Sequence, residues 1–301
     1  MDHYAKRFGG IGRLYGQEGL DRIRRAHVCV VGLGGVGSWA VEALARSGIG
    51  ALTLVDLDDV CISNVNRQLH ALDGDLGKPK VEVMARRVRA INPDCVVHPL
   101  QAFFLKSNAQ EILRAGFDYV LDAFDSPSRK CALIAQCRER SIPVITSGAA
   151  AGRRDPTAVE VIDLAFSSHD RLLQEVRSML RTRHGFPRGK HPFGVECVLS
   201  RERVVYPRKD GLICGAPGPE QDLRIDCDTG FGTASFVTGT FGFVAAARIV
   251  QGIVEGRGGG SPKSEIRNPK ESRSPKSEEV TPPVGRDVSS GTEGSRQEPS
   301  R

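Results

Sequence analysis

His27-Val28-Cys29-Val30-Val31-Gly32-Leu33-Gly34-Gly35-Val36-Gly37 is the stretch whose reading decides the fold. Its first five residues read as a short buried strand, the glycines form the turn, and Ser38 to Arg46 reads as helix. Strand, glycine turn and helix in that order are the fingerprint of a nucleotide-binding βαβ unit. Glycine lets the backbone come close to a phosphate, and a helix N-terminus offers unpaired N–H groups and the positive end of its dipole. A second strand, Ala51 to Val55, ends in Asp56, where an acid grips ribose hydroxyls. Taken alone, these residues suit NAD or FAD as readily as ATP.

The next stretch favours ATP. Leu57-Asp58-Asp59-Val60-Cys61-Ile62-Ser63-Asn64-Val65-Asn66-Arg67-Gln68 is followed by Gly77-Lys78-Pro79-Lys80. Both phosphates of a dinucleotide are served by the helix terminus, whereas a triphosphate needs cationic and amide donors around its outer groups. Asn64, Arg67, Gln68 and Lys80 supply them. Val81, Met84, Val88 and Ile91 make one apolar stripe, so Lys80 opens a predicted helix. A lysine is poor company for a helix N-terminus, which favours a ligand anion there. Leu121-Asp122-Ala123-Phe124-Asp125 closes another apolar strand at the edge where open α/β sheets bind ligands. Asp125, past the strand, is placed to hold Mg²⁺ against the phosphates. Asp122 reads as orienting the strand end or capping the next helix, with Ser126 and Ser128 as further caps.

Gly-x-Gly-Gly-x-Gly, Asp-x-Asp-x-Val, Ser-Asn-x-x-Arg-Gln, Gly-Lys-x-Lys and Asp-x-x-Asp, in this order, resemble the ubiquitin-activating-enzyme-like (ThiF/MoeB) superfamily over roughly residues 5 to 250. Arg7-Phe8-Gly9-Gly10-Ile11-Gly12-Arg13-Leu14-Tyr15-Gly16, Asp59-Val60-Cys61 and Gly230-Phe231-Gly232-Thr233 resemble its tRNA threonylcarbamoyladenosine dehydratase branch. The resemblance implies ATP and Mg²⁺, adenylation of a carboxylate, cyclisation of a modified adenosine in tRNA, and a homodimer. It gives Gly32, Gly34, Gly35 and Gly37 to the phosphates and Asp56 to the ribose, with Asp58 as a further nucleotide-binding residue. Arg67, Lys80 and Asp125 become catalytic, supported by Asn64 and Gln68. An N-terminal arginine reaches the ATP site of the neighbouring subunit, Arg13 before Arg7. Activators of sulfur-carrier proteins carry paired Cys-x-x-Cys zinc ligands, which this chain lacks, so no zinc is expected. The alternatives are such an activator, an NAD oxidoreductase, and a non-catalytic RNA-binding module. A sulfur-transfer partner protein stays open, and nothing calls for DNA.

The expected fold is an α/β, Rossmann-like sheet with helices on both faces, continued by a smaller strand-rich second half. Residues 1–255 form one adenylating-enzyme-like domain, with 27–147 the nucleotide half and 148–255 the substrate and dimerisation half. Residues 1–26 read as a helical lead-in, and Val195 to Leu199 and Val204 to Tyr206 as late strands. From Gly256 to Arg301 the chain is Gly, Ser, Pro, Lys and Glu with few large apolar residues, too few to offset ordering entropy, and so reads as a disordered tail.

Composition agrees with a soluble globular protein: 301 residues, 40% hydrophobic and 26% charged, with net charge +6. That charge suits an acidic partner such as RNA as well as mere solubility. The 8 cysteines include no Cys-x-x-Cys pair, which favours a reducing cytosol. Met1-Asp2-His3-Tyr4 begins no signal-like run, so a cytoplasmic location is expected, with membrane association left open. Thr233 to Val254 is long and apolar enough to span a bilayer, but its glycines and hydroxyls favour a core or dimer-interface helix. Arg153 and Arg154 read as RNA-phosphate contacts or an exposed turn, and Arg181 and Arg183 as part of a basic lid. His70 and Trp39 read as packing residues. Cys197, Cys214 and Cys227 read as core, with a reactive Cys214 as the alternative.

Overall fold

The structure is a computed structural model and describes residues 3–208, 210–215 and 231–257. The chain enters through α1 (His3–Arg25), which kinks at Gly16, where φ is 76°. It then builds β1 (His27–Val31), α2 (Gly37–Arg46), β2 (Ala51–Val55), α3 (Lys80–Ile91), β3 (Val96–Leu100), α4 (Ala109–Ile112) and β4 (Tyr119–Asp122). After these come α5 (Pro127–Glu139), β5 (Val144–Ser147), β6 (Val159–Asp163), α6 (Arg171–Arg183), β7 (Glu196–Ser200), β8 (Tyr206–Pro207), β9 (Ile213–Cys214) and α7 (Ser235–Val254).

One sheet of seven strands carries the fold, in the order β3-β2-β1-β4-β5-β7-β6. All neighbours are parallel except β6 and β7. The central strands β1, β2, β4 and β5 are buried on both sides, so β1 and β2 read as near-continuous apolar runs broken only by His27 and Thr53. Alternation still sorts them: Val28 and Val30 pack with α2, α3 and α7, while Cys29 and Val31 pack with α5 and α6. Because β1 pairs with β2 on one side and β4 on the other, their carboxyl ends frame the crevice where the strand order reverses. Ligands of open α/β sheets bind there.

The apolar helix α7 passes the length and hydropathy test for a membrane span, yet 61% of that window is buried inside the chain. Val237, Phe241, Ala245, Ile249 and Ile253 face the core. A Cβ on Gly242 would stand 2.6 Å from the Val36 carbonyl oxygen, so α7 lies directly on the start of α2.

Several late expectations change. Val204 and Val205 lie outside any strand; the chain instead forms the small β8–β9 hairpin, and Cys214 on β9 is exposed. Cys197 is core, its thiol pushed up by burial. Ser126 occupies the N-cap position of α5 but its side chain makes no cap bond. Asp122 is no cap either, being wholly buried in a salt bridge described below. Cys227, Gly230 and the tail from 258 onward lie outside the described residues.

Candidate nucleotide and adenylation site

The four glycines of the turn have different reasons to be glycine. Gly32 leaves β1 at φ 94°, and a Cβ there would stand 2.8 Å from the backbone of Ala123, just past β4. A Cβ on Gly37 would collide with the Gly32 carbonyl. One on Gly35 would stand 3.0 Å from Thr238 Cγ2 on α7. Around Gly34 a Cβ would meet nothing within 4 Å. The chain's own packing therefore demands three of the glycines, and the fourth leaves bare backbone facing open space.

Asp56 ends β2 and fastens this turn. Its carboxylate accepts the Leu33 N–H at 2.6 Å and the Asp58 N–H at 2.9 Å. The polar stretch after it is stitched together twice. Asp59 bridges to Pro79, and the Lys80 N–H donates to the Asp58 carbonyl at 3.0 Å. Lys80, only 5% exposed, then brings Nζ to 2.9 Å from Asp58 Oδ2. Lys80 opens α3, as its spacing predicts.

Between these anchors, Asn64 Oδ1 accepts the Cys61 N–H at 3.1 Å, and the Gln68 N–H donates to the Asn64 carbonyl at 2.8 Å. Both side chains are buried, and Gln68 Oε1 has no hydrogen-bond partner. Arg67 lies across Gly35, its Cγ 3.5 Å from where a Cβ would be. Its guanidinium donates to the Ser63 carbonyl at 2.6 Å, and its own carbonyl accepts from Trp39 Nε1 at 3.0 Å and Thr238 Oγ1 at 3.2 Å. Trp39 thus does more than pack: it holds the Arg67 peptide. Asn66 Nδ2 donates to the Thr233 carbonyl at 3.0 Å, tying the same loop to the approach to α7.

Asp125 is exposed on the loop beyond Ala123, whose N–H donates to the Val31 carbonyl at 2.8 Å. The fold thereby gathers Gly32, Gly34, Gly35, Gly37, Asp56, Asp58, Asn64, Arg67, Gln68, Lys80 and the Asp125 loop along one sheet edge. It does not bring the N-terminal arginines to that edge within one chain. Arg13 is exposed, its guanidinium lying back along α1 near Gly9 and Gly10, and Arg7 donates to the Ile91 carbonyl at 3.2 Å.

Two buried polar groups near the site had no sequence signal. His70 is 1% exposed, and neither ring nitrogen has a hydrogen-bond partner. Burial and the charge of Lys80 push its imidazole down to about 4, with Asp75 pulling the other way. Lys130 on α5 is wholly buried, its Nζ 2.9 Å from Asp122 Oδ1. Thr238 was equally silent, since it lies far along the chain from the Gly35 it touches.

The basic residues expected to meet RNA divide. Arg153 is buried, donating to the Ala149 and His169 carbonyls beside Asp170, so it holds a turn together and cannot reach a ligand outside. Arg154 is exposed beside Glu202. Arg181 donates to the Pro187 and Gly189 carbonyls and stacks on Phe193, fixing the loop after α6. Arg183, His184, Arg188, Lys190 and His191 remain exposed around that loop.

A mostly parallel sheet in this order, with a glycine turn and a buried lysine at its switch point, defines a Rossmann-like nucleotide-binding protein. The chain belongs to the ThiF family, whose model matches residues 10–270. It is 49% identical over 255 residues to the tRNA threonylcarbamoyladenosine dehydratase of Escherichia coli strain K12, covering 83% of this chain and 94% of that protein. The enzyme of the same name from Haemophilus influenzae is 45% identical, covering 85% of this chain and 96% of the relative. The crystal structure of the E. coli dehydratase in complex with ATP superposes with a TM-score of 0.76 at 45% identity, over 85% of this chain and 97% of that one.

Proposed function

We propose that this chain is an ATP-dependent tRNA threonylcarbamoyladenosine dehydratase. The observation that carries the reading is nearly end-to-end similarity to enzymes of that name, one of them crystallised with ATP, in a chain whose polar side chains gather at the glycine turn. ATP lies along that turn, with the Gly34 backbone against its phosphates, Asp56 toward the ribose, and Arg67, Asn64, Gln68 and Lys80 around the outer phosphates. The substrate's threonyl carboxylate attacks the α-phosphorus. An O–P bond forms and the bond to pyrophosphate breaks. Lys80 and Arg67 stabilise the charge that grows on the leaving group, in a site whose donors are already oriented. The neighbouring carbamoyl oxygen then attacks the acyl carbon, closes the ring and expels AMP. The carbamoyl nitrogen gives up its proton as the ring closes, so the nucleoside loses the elements of one water, the oxygen departing in AMP, and no enzyme nucleophile is required.

Among the described residues no three His, Cys, Asp or Glu side chains gather as a metal site. Mg²⁺ commonly takes one or two carboxylates and completes its shell with phosphates and water, which Asp125 beside a triphosphate would satisfy. When bound, it neutralises charge on the departing pyrophosphate. Asp125 supplies the carboxylate and orients the attack. The same reading makes the enzyme a cytoplasmic homodimer, with Arg13 serving the partner's nucleotide. The exposed bases around Arg183 and Lys190 offer a surface for tRNA.

Incubation with ATP, Mg²⁺ and threonylcarbamoylated tRNA, followed by mass analysis of the nucleoside, tests the reading. The parent should give the dehydrated product, and Asp125→Ala should give none while remaining folded. An unaltered nucleoside from the parent overturns it, and pyrophosphate exchange that depends on a carrier protein ending in Gly-Gly would favour the sulfur-carrier activator instead.

A further inference from the structure

Three residues from three elements meet beneath the Asp125 loop. Asp122 ends β4, Lys130 lies on α5, and Thr146 lies on β5; all are 0% exposed. Lys130 Nζ donates to Asp122 Oδ1 at 2.9 Å and to Thr146 Oγ1 at 3.2 Å, while Thr146 Oγ1 donates to Asp122 Oδ2 at 2.7 Å. Lys130 Nζ also lies 3.5 Å from the Asp122 carbonyl oxygen and 5.5 Å from the centre of the Phe124 ring. The Lys130 N–H donates to the Ser126 carbonyl at 2.9 Å. The Lys130 ammonium group therefore holds Asp122 at one end of residues 122–126, while the bond to Ser126 at the other end is the ordinary first-turn bond of α5 that any residue here would make.

A buried ion pair is weak support for stability, because desolvating both charges offsets their attraction, and well-packed apolar replacements are often neutral. Burial pushes the Asp122 carboxyl up, and Lys130 and Thr146 work against that. The expense of such a group asks for a reason other than stability, and its position supplies one. The short segment it holds carries Asp125, and Ala123 within it abuts Gly32 of the phosphate turn. The wall under Asp125 is thus clamped from below on the side away from solvent.

We infer that Lys130, paired with Asp122 and Thr146, is a positioning residue that sets the reacting geometry of Asp125 against the glycine turn. This rests on the adenylation reading for its kinetic consequence and on the network alone for its structural one. Without the clamp, the 123–126 segment keeps its place in the chain but loses a fixed path.

The test is the double variant Asp122→Asn/Lys130→Met, which removes both charges together, with Thr146→Val as the milder cut. Two readouts are taken on each: kcat and KM for cyclisation, and hydrogen exchange of the amides of residues 123–126. The expected result is a melting temperature close to the parent's, an unchanged KM for ATP, a fall in kcat of about 100-fold, the scale at which misplacement of about 1 Å acts, and faster exchange in that segment. Should the double variant fail to fold, Thr146→Val decides, with the same two changes expected at smaller size. Parent-like kcat and parent-like exchange overturn the inference. Faster exchange from a chain whose parent form does not cyclise the substrate would leave the clamp standing and remove the dehydratase reading instead.

Discussion

Lys80 is tied to Asp58 twice, through its N–H to the Asp58 carbonyl at 3.0 Å and through Nζ to Oδ2 at 2.9 Å. The lysine is buried, while the side chain of its partner is 58% exposed. The double tie fixes the cation at the N-terminus of α3, where it would otherwise be repelled by the helix dipole.

If Lys80 stabilises the leaving pyrophosphate, Lys80→Met should lower kcat by about 10² to 10³, the range for losing one oriented donor. Asp58→Asn keeps the backbone tie and removes an exposed ion-pair partner worth up to about 1 kcal/mol, so about fivefold is expected. Steady-state kinetics on both variants check this ordering. Equal losses would show that Asp58 acts on the substrate directly.

The glycines should separate in the same way. Gly37→Ala must displace the Gly32 carbonyl and should destabilise the fold by about 3 kcal/mol, as overpacking does. Gly34→Ala meets no neighbour, so its stability should stay within about 0.5 kcal/mol. Its cost should fall on ATP, whose affinity drops by about tenfold, or 1.4 kcal/mol. Urea unfolding and calorimetric ATP titration distinguish the two.

His70 should make the fold acid-sensitive. Its imidazole sits at about 4 in the folded chain against about 6.5 when unfolded. Between those values the unfolded chain binds a proton that the folded one refuses. Stability is therefore full above pH 6.5 and falls as pH drops, by roughly 2 kcal/mol at pH 5 and roughly 3 kcal/mol at pH 4. His70→Phe should flatten that part of the curve, which urea titrations from pH 7 to 4.5 would measure. A curve as steep as the parent's would place the sensitivity elsewhere.

Arg13 lies away from its own glycine turn, so its role is tested between chains. Arg13→Ala and Lys80→Met should each be nearly inactive alone. In the proposed homodimer, equal amounts mixed and allowed to exchange subunits should recover about a quarter of parental activity, since half the dimers would then be mixed, each with one intact site. Absence of recovery would assign Arg13 to its own subunit or to no site at all.

Much of this protein was legible in the chain because it is local. The strand, glycine turn and helix from His27 to Arg46 follow from residue types whose backbone preferences act over a few positions. Lys80 at the head of α3 follows from a 3.6-residue stripe, and the parallel sheet from apolar strands alternating with helices. The strand order that puts β1 between β2 and β4 is set by long-range packing. Other features required the folded chain, because their partners are remote in sequence and no local pattern announces them. Gly35 is small because Thr238 of α7 lies over it. Arg153, which looked free to meet RNA, is drawn inside by the carbonyls of Ala149 and His169. Lys130 would pass for a surface lysine on a helix until β4 and β5 close around it. Sequence by itself determined which backbone could approach a phosphate; tertiary structure decided which charges would be buried behind it, since burial depends on what long-range packing brings together and a side chain's own chemistry does not specify that.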